Sequence, residues 1–327
     1  MMNPERLLRI VPAVFAVLLL SAQVAQAQVM LAQGGWPRTI RHEAGELTLA
    51  SQPKRIVSAT PSVTGILLAI GAPVVASAAA TRTSLTDDKG FFLQWADVAD
   101  ARGVTVLYPD LEFDIEAVIG AAPDLLVVSA AGGDSAAQHY AELEAQGIPT
   151  VVVNYFNRGW QEIASELGRA TGLEEGARAA VARFDAHAAE VGASLRPPAG
   201  PVSIVGYNIG ASYSVSRPTS PQAALLRALG FEVAGLPPGL RPDETRRGSD
   251  FAFVSRETLS AAIAGETVFL LNGTEDDAKA FLADPVLANL PAVVKKQVYP
   301  LGPTSFRIDY YSGRQLIDTV ARYFRKP

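Results

Sequence analysis

Residues 67–76 read LLAIGAPVVA, and residues 225–234 read LLRALGFEVA. Each copy runs from leucines into a glycine and then into a strand-like stretch, with a one-residue slip between them. Outward from the first copy, Pro61 opens PSVTGILLAIG as a helix and Gly71 is its natural stop. The short apolar run RIVSAT (55–60) ahead of it reads as a buried strand, and VVASAAA behind it as a second. Outward from the second copy, VSIVGYN (202–208) is the strand, PQAALLRALG is a helix opened by Pro221 and closed by Gly230, and FEVAG is the next strand.

The correspondence continues downstream. EFDIEAVIGAAPDLLVVSA predicts a helix capped by Asp114, a turn at Pro123-Asp124 and the strand LLVVSA. FVSRETLSAAIAGETVFLLNG predicts a helix capped by Ser255 and the strand TVFLLN. Each half then closes on a late strand, IPTVVVNY after a loop and helix ending at Gly147, and KKQVYPLG. Strands alternating with helices imply parallel α/β sheets, and the same order twice implies a duplicated lobe. The fold class is therefore α/β, with two similar α/β lobes.

Between the halves lies GLEEGARAAVARFDAHAAEVGASLRPP (172–198). Ala177, Ala180, Val181, Phe184, Ala188, Val191 and Leu195 fall on one helical face, Glu174 and Glu175 suit the helix start, and Pro197-Pro198 ends it. Such a helix is roughly 30 Å long at about 1.5 Å per residue. It is a rigid connector, so the lobes should move little. The expected organisation is an N-terminal lobe over 28–158, connecting helices over 159–196 and a C-terminal lobe over 197–327.

The N-terminus stands outside this scheme. Arg6 and Arg9 precede the apolar run VPAVFAVLLLS, and Ala25-Gln26-Ala27 supplies small residues for cleavage after Ala27. Residues 1–27 read as a secretory signal peptide, since the apolar run is short of the ~20 residues that span a bilayer. The chain has no cysteine, which excludes disulfides, thiolate metal sites, a cysteine nucleophile and a lipidated cysteine. An exported chain without them fits the soluble contents of a Gram-negative periplasm. The net charge of −5 and the lack of Lys/Arg blocks argue against nucleic acid as a partner.

Catalytic patterns are missing. There is no G-x-S-x-G elbow, no Walker loop and no histidine pair at ligand spacing among His42, His139 and His187. Ser135 and His139 could share a helix face, which leaves a hydrolase as a remote alternative. What stands out are arginines and aromatic residues in loops, the places where α/β sheets bind ligands: Arg82, Tyr207, Tyr213, Arg217, Arg241, Arg246, Arg247, Phe306 and Arg307. Guanidinium forks suit planar anions and stack on rings, although each arginine taken singly could be a solvated surface charge. Glu116 and Glu257 occupy equivalent first turns, either as stabilising N-terminal acids or as a pair of docking knobs for a symmetric partner.

Five segments resemble the iron-siderophore and cobalamin class of ABC-transporter substrate-binding proteins, and within it the binders of ferric enterobactin. They are QPKRIVSATPSVTGILLAIGAPVVAS, DDKGFFLQWADVA, PDLLVVSAAGGDSA, LRALGFEVAGLPPGL and LANLPAVVKKQVYPLGPTSFRIDYYSG. The resemblance implies the class III, helical-backbone metal-receptor fold. It implies a non-enzymatic monomer without cofactor, which takes a ferric catecholate siderophore as cargo and delivers it to an inner-membrane ABC permease. The siderophore wraps the iron, so no protein metal ligand is needed. By the same resemblance Arg307 contacts the anion, Arg246 and Arg247 lie in a basic loop, and Glu116 and Glu257 meet permease arginines. One departure is Ser216, which stands where the resemblance implies a tryptophan against the ligand, with Tyr213 or Arg217 as substitutes. Haem or cobalamin is the alternative cargo.

Overall fold

The computed structural model of the chain describes residues 35–242 and 250–326. An antiparallel hairpin, β1 (Arg38–His42) and β2 (Gly45–Leu49), leads into the first lobe and hydrogen-bonds to its last strand through Glu43 N–H and the Val152 carbonyl. That lobe runs β3 (Ile56–Ser58), α1 (Pro61–Ala69), β4 (Val74–Ser77), α2 (Ala96–Ala101), β5 (Thr105–Val106), α3 (Ile115–Ala121), β6 (Leu125–Ser129), α4 (Tyr140–Ala145) and β7 (Thr150–Val153). Its sheet is wholly parallel, in the order β5-β4-β3-β6-β7. β3, β6 and β7 are buried throughout, which is why they read as continuous apolar runs rather than alternations.

Next come two helices, α5 (Trp160–Thr171) and the 21-residue α6 (Glu174–Ser194). The α6 face Ala177, Ala180, Phe184, Ala188 and Val191 is buried, as its periodicity predicted, and Val181 is partly so. The second lobe comprises β8 (Val202–Ile209), β9 (Ser212–Ser216), α7 (Pro221–Ala228), β10 (Phe251–Val254), α8 (Arg256–Ala262), β11 (Thr267–Leu271), α9 (Glu275–Ala283), α10 (Pro291–Val294) and β12 (Val298–Pro300). A last helix, α11 (Tyr310–Phe324), packs on α6 and reaches back to α1.

The repeated phrase is a repeated helix stop. After α1, Gly71 N–H donates to the Leu68 carbonyl and Ala72 N–H to Leu67; after α7, Gly230 N–H donates to Arg227 and Phe231 N–H to Leu226. Both glycines have positive φ, +86° and +92°, so each helix ends in the same left-handed cap.

Past the stop, the two lobes differ, and the difference corrects the expected parallel repeat. The second sheet has the order β10-β9-β8-β11-β12, with β9 antiparallel to both neighbours. SYSVS, read from the sequence as loop, is β9. FEVAG, read as a strand, makes only an isolated bridge, Val202 to Val233. The β8–β9 hairpin takes the rest of that edge of β8, pairing Val205 with Val215 and Gly206 with Ser214, so only its start at Val202 is left for FEVAG.

Candidate functional site

Strand order reverses beside β3 in one sheet and beside β8 in the other. Loops leaving the carboxyl ends there splay apart and form a crevice. Between the lobes this crevice encloses a cavity of about 360 Å³. One wall comes from the loops after β6 and β7 and the start of α1, the other from the start of α7, β10 and the segment Phe306–Ile308.

The first wall is built on a buried carboxylate. Asp134, 7% exposed, accepts hydrogen bonds from Thr60 Oγ1 at 2.5 Å, Ser62 N–H at 3.0 Å and the Tyr155 hydroxyl at 2.5 Å. Tyr155 is thereby pinned, and burial, reinforced by Asp134, pushes its hydroxyl up to about 12. Gly132 is required beside it: its φ is +84° and a Cβ there would lie 1.7 Å from the Tyr155 hydroxyl oxygen. Arg158, at the rim, is already engaged by Glu162 at 2.8 Å, Glu166 at 2.6 Å and the Asn154 carbonyl at 3.0 Å.

Across the crevice the Arg307 guanidinium lies 4.3 Å from the centroid of the Tyr155 ring. No carboxylate among the described residues comes within ion-pair distance of it. Asp250 is near enough to feel its field, yet burial prevails and holds that carboxyl above the usual range. Phe306 is 41% exposed and stacks on Phe251 with 5.4 Å between centroids and 16° between planes. The Gln222 amide holds the segment by donating to the Ser305 and Phe306 carbonyls at 3.1 and 2.5 Å. Asp309, buried at the start of α11, accepts from Tyr311 and Ser312 N–H, and Ser312 Oγ donates to the Arg307 carbonyl at 2.6 Å. An arginine with no acidic partner among the described residues, set on one ring and flanked by another, has the chemistry that suits an anion with aromatic parts.

Of the residues singled out from sequence, Phe306 and Arg307 meet in this cavity. Tyr207 lies elsewhere, in a hollow with the 83–85 loop, and donates its hydroxyl to Asp284 at 2.8 Å. Tyr213 packs on Tyr207 at 5.7 Å between centroids and accepts from Arg256. Arg82 is exposed next to that 83–85 loop, and Arg241 is exposed as well. Arg217 is half-buried, its N–H donating to the Asp250 carbonyl. Ser216 is 1% exposed and bonds Ser220 Oγ at 2.6 Å, so it serves the cap of α7 rather than a ligand wall. Arg246 and Arg247 lie outside the described residues. Glu116 and Glu257 are exposed in the first turns of α3 and α8. Sequence reasoning passed over Tyr155, Phe156 and Arg158, although they come directly after β7 at its carboxyl end, where that same reasoning placed ligands.

Ser135 donates to the Ser129 carbonyl at 3.0 Å, and His139 stacks on Phe113 at 4.2 Å. The serine hydroxyl is thus committed to backbone. Among the described residues no three His, Cys, Asp or Glu side chains group where a metal could sit, and no helix is long and apolar enough to cross a membrane.

A crevice between two α/β lobes joined by a long helix, lined by arginine and aromatic side chains, is the architecture of a solute-binding protein of a transport system. The chain belongs to the periplasmic binding protein family, which it matches over residues 56–304. It is 40% identical over 320 residues to the ferric enterobactin-binding periplasmic protein FepB of Escherichia coli O6:H1, covering 97% of this chain and 100% of that one. The crystal structure of holo-ViuP superposes with a TM-score of 0.80 at 40% identity, covering 89% of this chain and 96% of the other. The periplasmic catecholate-siderophore binding protein VctP from Vibrio cholerae shares the fold, with a TM-score of 0.58 at 17% identity over 87% of this chain and 98% of its own. The chain is accordingly a periplasmic binding component of transport, not an enzyme.

Proposed function

We propose that this protein captures a ferric catecholate siderophore of the enterobactin type between its lobes and delivers it to an inner-membrane ABC permease. The observation that carries this reading is Arg307, without an acidic partner among the described residues and lying over Tyr155 beside the open Phe306 ring. A ferric tris-catecholate is a trianion whose outer surface is aromatic, and it brings all six ligands to the iron. The relative that binds ferric enterobactin, 40% identical over nearly the whole chain, supports the same cargo. Haem, the competing cargo, would draw on a tyrosine ligand, but the cavity's Tyr155 hydroxyl is committed to Asp134. In this reading Glu116 and Glu257 dock on the permease, residues 1–27 are removed after Ala27, and the mature protein acts as a monomer.

The test is a fluorescence titration of the mature protein with ferric enterobactin, a ferric hydroxamate, haem and cobalamin. Trp160, which lines the cavity, is the reporter. Saturable quenching by the catecholate alone is expected. Arg307→Ala should weaken it by roughly 10- to 150-fold, the equivalent of one charge-assisted contact at about 1.5–3 kcal/mol. Arg307→Lys should recover only part, since an ammonium keeps the charge without the planar stack. Quenching by another ligand but not by the catecholate would overturn the cargo assignment.

A further inference from the structure

Beyond the main cavity lies a side compartment of about 230 Å³. The two share Ser62, Gly133, Tyr155, Phe306 and Arg307, so the Arg307–Tyr155 pair stands as the partition between them. Their chemistry differs. Among its own residues the main cavity sets Arg158, Asn157 and Asp250 beside Phe156 and Trp160, whereas the side compartment, the more apolar of the two, sets Leu85, Phe92, Leu111 and Pro303 beside Gln94, Thr304 and the already bonded Asp134. Its size suits one substituted benzene ring, given that a cavity of about 150 Å³ already takes benzene.

The wall is built on strained backbone. Asp110 and Leu111 are consecutive non-glycine residues with φ of +57° and +60°. Side chains at such positions are strained, and glycine would serve there if the loop only had to turn. Leu111 is held in place by its N–H to the Ala79 carbonyl at 2.9 Å. The strained backbone brings an apolar side chain to the compartment. Phe92, which also lines the compartment, is fixed edge-on against Trp95, 6.2 Å between centroids at 76°.

We propose that this compartment is the subsite for a single aryl arm of the cargo, and that Leu85 and Leu111 are the residues that make the protein select a three-armed catecholate over a two-armed one. The proposal rests on the catecholate reading above. With the anionic iron centre set against Arg307, arms radiating from it fall on both sides of the partition. A third arm without the side compartment would be left in water.

Two variants test it, each titrated with ferric enterobactin and with the ferric complex of a synthetic bis-catecholate chelator. Leu85→Trp fills the compartment. The three-armed complex should lose about tenfold or more in affinity while the two-armed complex changes less than twofold, so that selectivity collapses. Leu111→Gly relieves the strained backbone and removes the wall. It should leave thermal stability unchanged or raised, and weaken only the three-armed complex. If both ligands weaken in parallel, or neither weakens, the compartment is not a subsite and the proposal falls although the cargo reading stands. If the unmodified protein binds neither complex, the catecholate reading fails and takes this proposal with it.

Discussion

Arg307 can lie over Tyr155 only because a chain of smaller requirements is met behind its stacking partner. The Tyr155 ring must lie under the guanidinium, Asp134 must hold the Tyr155 hydroxyl, and residue 132 must have no side chain. Gly132→Ala should therefore act twice. The left-handed backbone costs an L-residue about 1–2 kcal/mol, and relieving the clash should add about 1–3 kcal/mol. Urea denaturation is expected to show a total loss of about 2–5 kcal/mol, accompanied by weaker cargo binding as the tyrosine ring shifts. A loss below about 1 kcal/mol would mean that the loop relaxes freely and that Gly132 is not what positions Tyr155. At this scale the sequence was only partly legible. Arg307 announced itself as a loop arginine beside aromatic residues. Tyr155 did not, because VVVNY reads as the tail of an apolar strand, and nothing in local periodicity reports which distant arginine a ring will meet. For the loop aromatics Tyr207 and Tyr213, composition alone does not reveal that one hydroxyl donates to Asp284 and the other accepts from Arg256.

At the scale of elements, LLAIG and LLRALG carry their meaning in full, and the strands behind them do not. A helix stop is local: one glycine at positive φ and two backbone hydrogen bonds define it, so its sequence mark survives in both lobes. A strand needs a vacant edge, and FEVAG loses its edge to a hairpin that forms earlier in the chain. The same contrast explains why the α6 stripe was readable while the β1–β2 hairpin was not. The stops also lend themselves to a matched measurement. A Cβ at Gly71 would meet nothing within 4 Å, and one at Gly230 only Pro197 Cγ at an ordinary 3.5 Å. Gly71→Ala and Gly230→Ala should then incur the backbone penalty alone, about 1 kcal/mol each, and the double variant should show the sum. Chemical denaturation of the three variants checks this. Unequal losses differing by more than about 1 kcal/mol would show that the two caps are alike in sequence but not in energetics.

Across the whole molecule, two helices rather than a flexible strap connect the lobes. α6 runs from one to the other, and α11 returns across it, with Gly313 so close to Phe184 that a Cβ would lie 2.7 Å from the ring. One continuous cluster of buried residues includes Ile56 and Val153 of the first lobe, Phe184 of α6, Ile204 and Phe269 of the second lobe and Phe324 of α11. Where α11 meets α1, Asp309 is wholly buried, and a Cβ on Gly65 would lie 2.5 Å from its Oδ2. Its carboxylate has helix-start N–H donors at 2.7 and 2.8 Å, which favour the charged form, yet burial outweighs them and raises its pKa above the ordinary 3.8. The native state therefore holds this proton more tightly than the unfolded chain does. The stabilisation is complete below 3.8 and is lost as pH rises through the folded value. Asp309→Asn keeps an oxygen for the cap and removes the titration. The stability of the unmodified protein minus that of Asp309→Asn should thus fall as pH increases from about the carboxylate range toward neutrality, measured by urea unfolding at closely spaced pH values. A difference that is flat, or that rises with pH, would show that the helix-start donors prevail over burial and that the contact between α1 and α11 is held by an ordinary ionised cap. Because Ser312, bonded to the Asp309 cap, also holds the Arg307 carbonyl, any loosening of this crossing should reach the cargo site through two hydrogen bonds.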